Sequence, residues 1–170
     1  MHDAALDRLS RFMPTILNDD TRDFVTSGVS IMLASRDAQL IPSIARAKGC
    51  AVVTSATPKL RLFVSAAQAP DLVEDVRTSR LISVTFSAPA THQSLQLKGH
   101  DAKVTIVTDA ERSIIAAYVE RFAGSIEPMG FSEEFTRTFF ASPDDEIAIE
   151  FTPTAGFEQT PGPAAGTRLG

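Results

Sequence analysis

The sequence predicts an α+β protein, an antiparallel β-barrel of six or seven short strands with flanking helices. Three observations carry this. Several short segments alternate apolar and polar residues, the pattern of a strand with one buried face. The breaks between them are short and rich in turn residues, which favours antiparallel pairing. One clear helix interrupts the strands, so no repeating strand–helix–strand pattern is present.

Taken in order, residues 4–12 place Leu6, Leu9 and Phe12 at helical spacing, and Pro14 limits that helix. Asn18, Asp19, Asp20 and Thr21 supply capping side chains for a second short helix through Phe24 and Val25. After Gly28, residues 29–33 read as a strand and 35–38 as a turn. Residues 40–47 and 50–54 follow as two more strands, punctuated by Lys48 and Gly49. In residues 59–66, Leu60, Leu62 and Val64 oppose Arg61, Phe63 and Ser65. Residues 70–77 are helical, opened by Pro70 and apolar at Leu72, Val73 and Val76. Residues 81–86 and 94–98 return to strand, with 104–107 as continuation or partner and Gly99 available for a bulge. Thr108 and Glu111 form a capping box that opens the clearest helix, apolar at Ile114, Ile115, Tyr118, Val119 and Phe122. Ser132 caps a further helix carrying Phe135, Phe139 and Phe140, and Ile147, Ile149 and Phe151 alternate in a late strand. The tail 159–170, with Pro161 and Pro163, is expected to be extended or mobile. The organisation is thus a helical segment 1–27, a barrel domain 28–158 and a tail 159–170.

The 170 residues, 44% of them hydrophobic, suffice for one domain with a real core. Residues 1–85 hold 10 basic and 9 acidic groups and residues 86–170 hold 6 and 12, so neither half reads as a nucleic-acid binder. No apolar run reaches the roughly 18 residues of a membrane span, and a soluble cytoplasmic domain is expected. The single Cys50 excludes an intrachain disulfide and reads as a small buried hydrophobe. Glycine-rich nucleotide fingerprints, the P-loop, zinc-protease and nucleophile-elbow motifs are absent, and His2, His92 and His100 lack metal-ligand spacing. Asp144, Asp145 and Glu146 read as a solvated turn before a strand.

The chemically interesting residues are polar groups on strands. Arg46 and Lys48 end the second strand on a shared face; Arg61 and Ser65 share another; Ser94, Gln96 and Lys98 share a third. These faces read either as the solvated outside of a barrel or as side chains converging on an anionic ligand. Periodicity leaves both open.

An ordered set of segments carries a family resemblance. These are Gly28-Val29-Ser30-Ile31-Met32-Leu33-Ala34-Ser35, Pro42-Ser43-Ile44-Ala45-Arg46-Ala47-Lys48-Gly49 and Leu62-Phe63-Val64-Ser65 with the helix from Pro70. They continue with Leu81-Ile82-Ser83-Val84-Thr85-Phe86, Ser94-Leu95-Gln96-Leu97-Lys98-Gly99 and the closing run from Phe157 to Gly166. In these the chain resembles the pyridoxamine 5'-phosphate oxidase-like, FMN-binding split-barrel family over about residues 24–166. The resemblance sharpens the barrel to a split β-barrel and implies a homodimer with FMN at the subunit interface. It implies that Arg46 and Lys48 are basic residues of the second strand, and that Ser65 and Gln68 lie at the strand end and turn that reach the phosphate. Ser94 and Gln96 match polar positions of the later strand.

The departures carry information too. Gln68-Ala69-Pro70 stands where the oxidases carry a basic pair, and losing two charged hydrogen bonds at about 1.5–3 kcal/mol each weakens phosphate affinity. The end Thr167-Arg168-Leu169-Gly170 has no counterpart of the oxidases' substrate-binding residues, so vitamin B6 oxidation is not expected. The leading expectation is an FMN-dependent oxidoreductase passing hydride or electrons between flavin and a small substrate, with no catalytic residue nominated. The alternatives are a non-catalytic flavin or haem module, with His92 or His100 as candidate axial ligands, and a dimeric split barrel that has lost its cofactor.

Overall fold

The computed structural model describes residues 16–142 and 144–169; the helix expected over residues 4–12 lies outside them. The first described helix is α1 (Asp19–Thr26), whose Asn18 cap accepts the Thr21 N–H at 2.8 Å. Strands β1 (Ser30–Arg36), β2 (Pro42–Arg46), β3 (Gly49–Val53) and β4 (Lys59–Ser65) lead to helix α2 (Pro70–Ser79). Then come β5 (Ile82–Ser87), β6 (Ser94–Gly99), β7 (Lys103–Ile106), the long helix α3 (Asp109–Ile126) and α4 (Glu133–Phe139). Strands β8 (Glu146–Phe151) and β9 (Ala155–Glu158) close the order. All pairings are antiparallel, in a five-stranded sheet β2-β1-β5-β6-β9 and a four-stranded sheet β3-β4-β8-β7.

This is the α+β antiparallel split barrel that the sequence predicts, with nine strands among the described residues. The two additional strands are β7, which is separate from β6, and β9, which lies in a stretch the sequence did not mark as strand. Residues 104–107 do not continue β6: β7 pairs with β8 in the other sheet. Gly99 forms no bulge; it ends β6 opposite Ile82, where a Cβ would lie 2.4 Å from the Phe151 ring. The second strand begins at Pro42, because residues 37–41 close a turn with Leu40 at φ +67° and the Ile41 N–H on Asp37 Oδ1. The tail is folded back. Gly166 N–H donates to Glu158 O at 2.7 Å, and Leu169 N–H donates to Gly156 O at 2.9 Å with its side chain against the core.

The core lies between the sheets. Ile31 and Leu33 of β1, Leu60, Leu62 and Val64 of β4, Val84 and Phe86 of β5, Leu97 of β6 and Ile149 and Phe151 of β8 are all buried. Helix α2 packs on β1, β2 and β7 and buries Leu72, Val73 and Val76, the three positions its periodicity marks. Helix α3 lies over the other face of β4, where Phe63, Ile115 and Ala148 form a second apolar cluster. Strand β4 is therefore covered on both sides rather than on one. The capping box of α3 is present: Thr108 Oγ1 accepts the Glu111 N–H, and Glu111 Oε2 accepts the Thr108 N–H at 2.8 Å. Cys50 is 1% exposed, as a structural cysteine should be. No helix among the described residues is long and apolar enough to cross a membrane.

Candidate functional site

Strand alternation gives the five-stranded sheet a second face. Its inward set is apolar except for Ser35; the opposite set is Ser30, Met32 and Ala34 on β1, Ser83, Thr85 and Ser87 on β5, and Ser94, Gln96 and Lys98 on β6. The registers align these residues in rows. Ser30 faces Ser87, which faces Ser94. Arg46 faces Met32, then Thr85, Gln96 and Phe157 follow across the sheet. All are half-buried, so the face is a hydroxyl- and amide-lined floor rather than a fully solvated surface.

Arg46 stands at one margin of this floor. Its Nη1 donates to Ser30 Oγ at 2.8 Å, and the guanidinium lies 4.7 Å from the centre of the Phe139 ring. Burial pulls its pKa down from the ordinary value, and no carboxylate pairs with it among the described residues. At the other margin Lys98 lies 5.0 Å from the centre of the Phe157 ring. Between them Ser94 Oγ hydrogen-bonds Ser87 Oγ at 2.8 Å, and Gln96 Oε1 accepts from Gln159 Nε2 at 3.5 Å. Three of the sequence-predicted residues, Arg46, Ser94 and Gln96, thus meet on one face.

Lys48 does not share that face. The chain leaves one sheet for the other at this point: Ala47 N–H donates to Ile31 O at 3.1 Å, and Lys48 N–H donates to Phe63 O at 2.7 Å. The two-residue spacing that puts alternate side chains on one side holds only within a strand, and β2 ends at Arg46. Lys48 Nζ instead reaches Ser142 Oγ at 2.7 Å and Glu146 Oε1 at 2.5 Å. Ser65 and Gln68 join it from the turn between β4 and α2. Ser65 Oγ donates to Asp145 Oδ2 at 3.0 Å and accepts the Gln68 N–H at 3.3 Å. Ala67 N–H donates to the same Asp145 Oδ2 at 2.6 Å, and Gln68 Nε2 donates to Ala141 O at 3.1 Å.

Residues 141–142 and 144–146 therefore lie along the turn, and the acidic run does not behave as a solvated turn throughout. Asp144 is exposed, but the Ala67 N–H and the Ser65 hydroxyl hold the Asp145 carboxyl below the usual range. Burial raises the Glu146 pKa, yet Lys48 and Arg112 outweigh it and keep that carboxylate low as well. The sequence shows acids at 144–146 and donors at 48 and 65. That they meet across some 80 residues is a tertiary fact with no local signal. Arg61, on the face sequence periodicity shares with Ser65, is likewise engaged. All five of its N–H donors are used, on Glu111, Glu150, Thr105 Oγ1 and Ile106 O.

The fit of a cofactor phosphate to the turn follows from these partners. The turn offers oxyanion donors, but they already hold one carboxylate, and the adjacent lysine holds another. As the structure stands, the Ser65–Gln68 turn does not fit a phosphate dianion. Beside it a cleft of about 710 Å³ opens between α3 and α4, lined by Lys48, Arg112, Glu146, Ile115, Val119 and Phe140 among others. The described histidines stand apart from both places: His92, at φ +59°, and His100 are exposed in loops flanking β6. Among the described residues no three His, Cys, Asp or Glu side chains group as a metal site.

No family profile matches the chain, and no curated protein matches it. Solved structures do. HupZ of Group A Streptococcus superposes with a TM-score of 0.54 at 12% identity, over 89% of this chain and 99% of that one. A conserved hypothetical protein of Mycobacterium tuberculosis gives 0.50 at 14% identity, over 85% of each chain. A pyridoxamine 5'-phosphate oxidase candidate of Lactobacillus delbrueckii gives 0.50 at 11% identity, over 86% of this chain and 97% of that one. Identities this low establish architecture and nothing finer, and the sheet order and crossovers described above agree with it: the chain has the split-barrel fold of the pyridoxamine 5'-phosphate oxidase-like proteins.

Proposed function

We propose that the chain is a flavin-class cofactor protein that works as a homodimer, with the cofactor ring on the polar outer face of the five-stranded sheet, and that it serves as an oxidoreductase toward a small substrate. The single observation that carries this is Arg46, a half-buried cation without a carboxylate partner among the described residues, at the margin of a floor of hydroxyls and amides. A buried cation left unpaired is costly, and an anionic or electron-rich ligand relieves that cost. Exposed apolar side chains border the floor. Ile44, on the same strand and face as Arg46, is 69% exposed, and Phe139, which stacks on Arg46, is 43% exposed. A second copy would cover both and close the site.

The flavin would supply the hydride or electron transfer, and the protein would hold and orient it. Arg46, Ser30, Ser94 and Gln96 are the residues assigned to that holding. Lys48, Ser65 and Gln68 would act from beside the site, through the partners they already have. The test is the absorption spectrum of purified protein, followed by titration with FMN and riboflavin. A yellow chromophore released on denaturation supports the reading, as does Arg46→Ala weakening flavin tenfold or more in a protein that still elutes at twice the 18.3 kDa chain mass. A colourless protein that binds neither flavin refutes it, and a Soret band points to the haem alternative.

A further inference from the structure

The turn after β4 is built to hold an oxyanion, and the oxyanion it holds is part of the chain. A hydroxyl and a backbone N–H converge on one oxygen, Asp145 Oδ2, from 3.0 and 2.6 Å. The main chain fastens the same contact, with Ala66 N–H donating to Asp145 O at 3.3 Å. Ser65, the side chain that donates, is only 2% exposed. Lys48, beside the turn, is joined to Glu146 at 2.5 Å, and Arg112 reaches the same carboxylate at 3.3 Å. Two cations therefore face two carboxylates at this corner, and a dianion added to it would find no net positive charge. The turn itself, Gln68-Ala69-Pro70, contributes none.

We propose that Asp145 is a built-in substitute for a ligand phosphate, so that this protein takes a flavin without anchoring its phosphate at the turn and does not discriminate FMN from riboflavin there. Two outcomes for a phosphate group follow from the geometry. It stays in solvent beyond the sheet face, or it displaces Asp145 and stands against Glu146. The second requires the two hydrogen bonds to the Asp145 carboxylate to break and a dianion to sit beside an anion in a partly dry corner, where like charges interact more strongly than in water. The structure thus assigns ligand selectivity to residues 65–67 and 145, none of which touches the sheet floor where the ring is placed. The flavin half of this inference rests on the proposed function; the phosphate half stands alone.

The experiment separates the two. Inorganic phosphate is titrated into the isotope-labelled wild-type protein while the Ala67 and Gln68 amide resonances are followed. The expected result is no saturable shift through the millimolar range; a saturable shift of Ala67 in wild type overturns the proposal. In Asp145→Ala the same amides should respond to phosphate, and a folded variant that stays silent also overturns it, because the turn would then be no anion site. If the alanine variant does not fold, Asp145→Asn keeps an acceptor oxygen for both donors without the charge, and the same response is expected at higher phosphate. Where flavin binds, wild type should hold FMN and riboflavin within about threefold, and Asp145→Ala should favour FMN by about tenfold or more, a difference of about 1.4 kcal/mol. FMN binding tenfold tighter than riboflavin in wild type refutes the proposal. Failure of both flavins to bind refutes the proposed function and leaves the phosphate result to decide this one.

Discussion

Arg61 ties three parts of the molecule together, and its removal has a calculable cost. From the middle of β4 its guanidinium forks onto Glu111, with Nε to Oε1 at 2.5 Å and Nη2 to Oε2 at 3.0 Å. Nη1 donates to Glu150 Oε2 on β8 and to Thr105 Oγ1 on β7, each at 3.0 Å, and Nη2 donates to Ile106 O at 2.9 Å. The Arg61, Glu111 and Glu150 side chains are 12–13% exposed, so this is not a screened surface pair. Arg61→Ala leaves two carboxylates without their shared cation. Breaking one partner of a buried pair costs about 3–5 kcal/mol. At about 2–4 °C per kcal/mol for a chain of this size, Tm should fall by roughly 6–20 °C.

The pH dependence adds a second check. Burial raises the pKa of Glu111 and of Glu150, but hydrogen bonds from Arg61, together with Thr108 for one and with Lys103 and Lys59 for the other, outweigh it and leave both low. A depressed carboxylate pKa gives stability that is present above the unfolded value, near 4.5, and lost as pH falls through the folded one. The deficit of Arg61→Ala, measured by urea unfolding, should therefore be full at pH 7 and shrink below about pH 4.5. Arg61→Lys, which keeps the charge but not the fork, should fall between the two. A loss under 1 kcal/mol, or a deficit that does not change with pH, would refute the reasoning.

Further predictions concern Gly99, Tyr118 and Cys50. Gly99→Ala sets a Cβ 2.4 Å from Phe151 Cδ2 and 2.8 Å from Thr152 O, and should cost about 1–3 kcal/mol in chemical unfolding; a change within experimental error would mean β8 can shift freely. Tyr118, 2% exposed, lies 3.1 Å from both Val25 O and Val29 O, so Tyr118→Phe leaves buried carbonyls short of a donor at about 1–3 kcal/mol, measured by far-ultraviolet circular dichroism. In wild type the phenol is the only tyrosine and there is no tryptophan, so its absorbance reports on it alone. Burial pushes its pKa up, and phenolate should appear only as the protein unfolds in alkali. Burial likewise pushes the Cys50 thiol up, and a thiol reagent should modify it only at the rate of unfolding; fast modification of native protein would show that β3 opens locally.

Local signals were legible wherever the physics was local. The capping box at Thr108 and Glu111, the Asn18 cap and the apolar stripe of α2 need only neighbours three or four residues away, and each is formed. The alternation in residues 59–66 marked a strand correctly but not its surroundings, because periodicity shows which residues share a side and not what covers it. Helix α3 lies on the Arg61 side, which periodicity left open between solvent and an anionic ligand, and it makes Arg61 a saturated structural link. The same limit explains Lys48, two residues from Arg46 in sequence and on a different wall, since the chain changes sheets between them.

The sequence by itself therefore determined the composition of the core, the helix ends, the antiparallel α+β class and, through an ordered set of short segments, the split barrel. Register decided the rest. Only the pairing of β1, β2, β5, β6 and β9 brings Arg46, Ser94 and Gln96 onto one floor, and only the packing of residues 144–146 against the β4–α2 turn puts Asp145 on the donors of Ser65 and Ala67. The physical reason is one of range. Hydrophobic periodicity and capping act over a few residues along the chain, whereas the partner of a buried charge is chosen by which distant segment the fold carries to it.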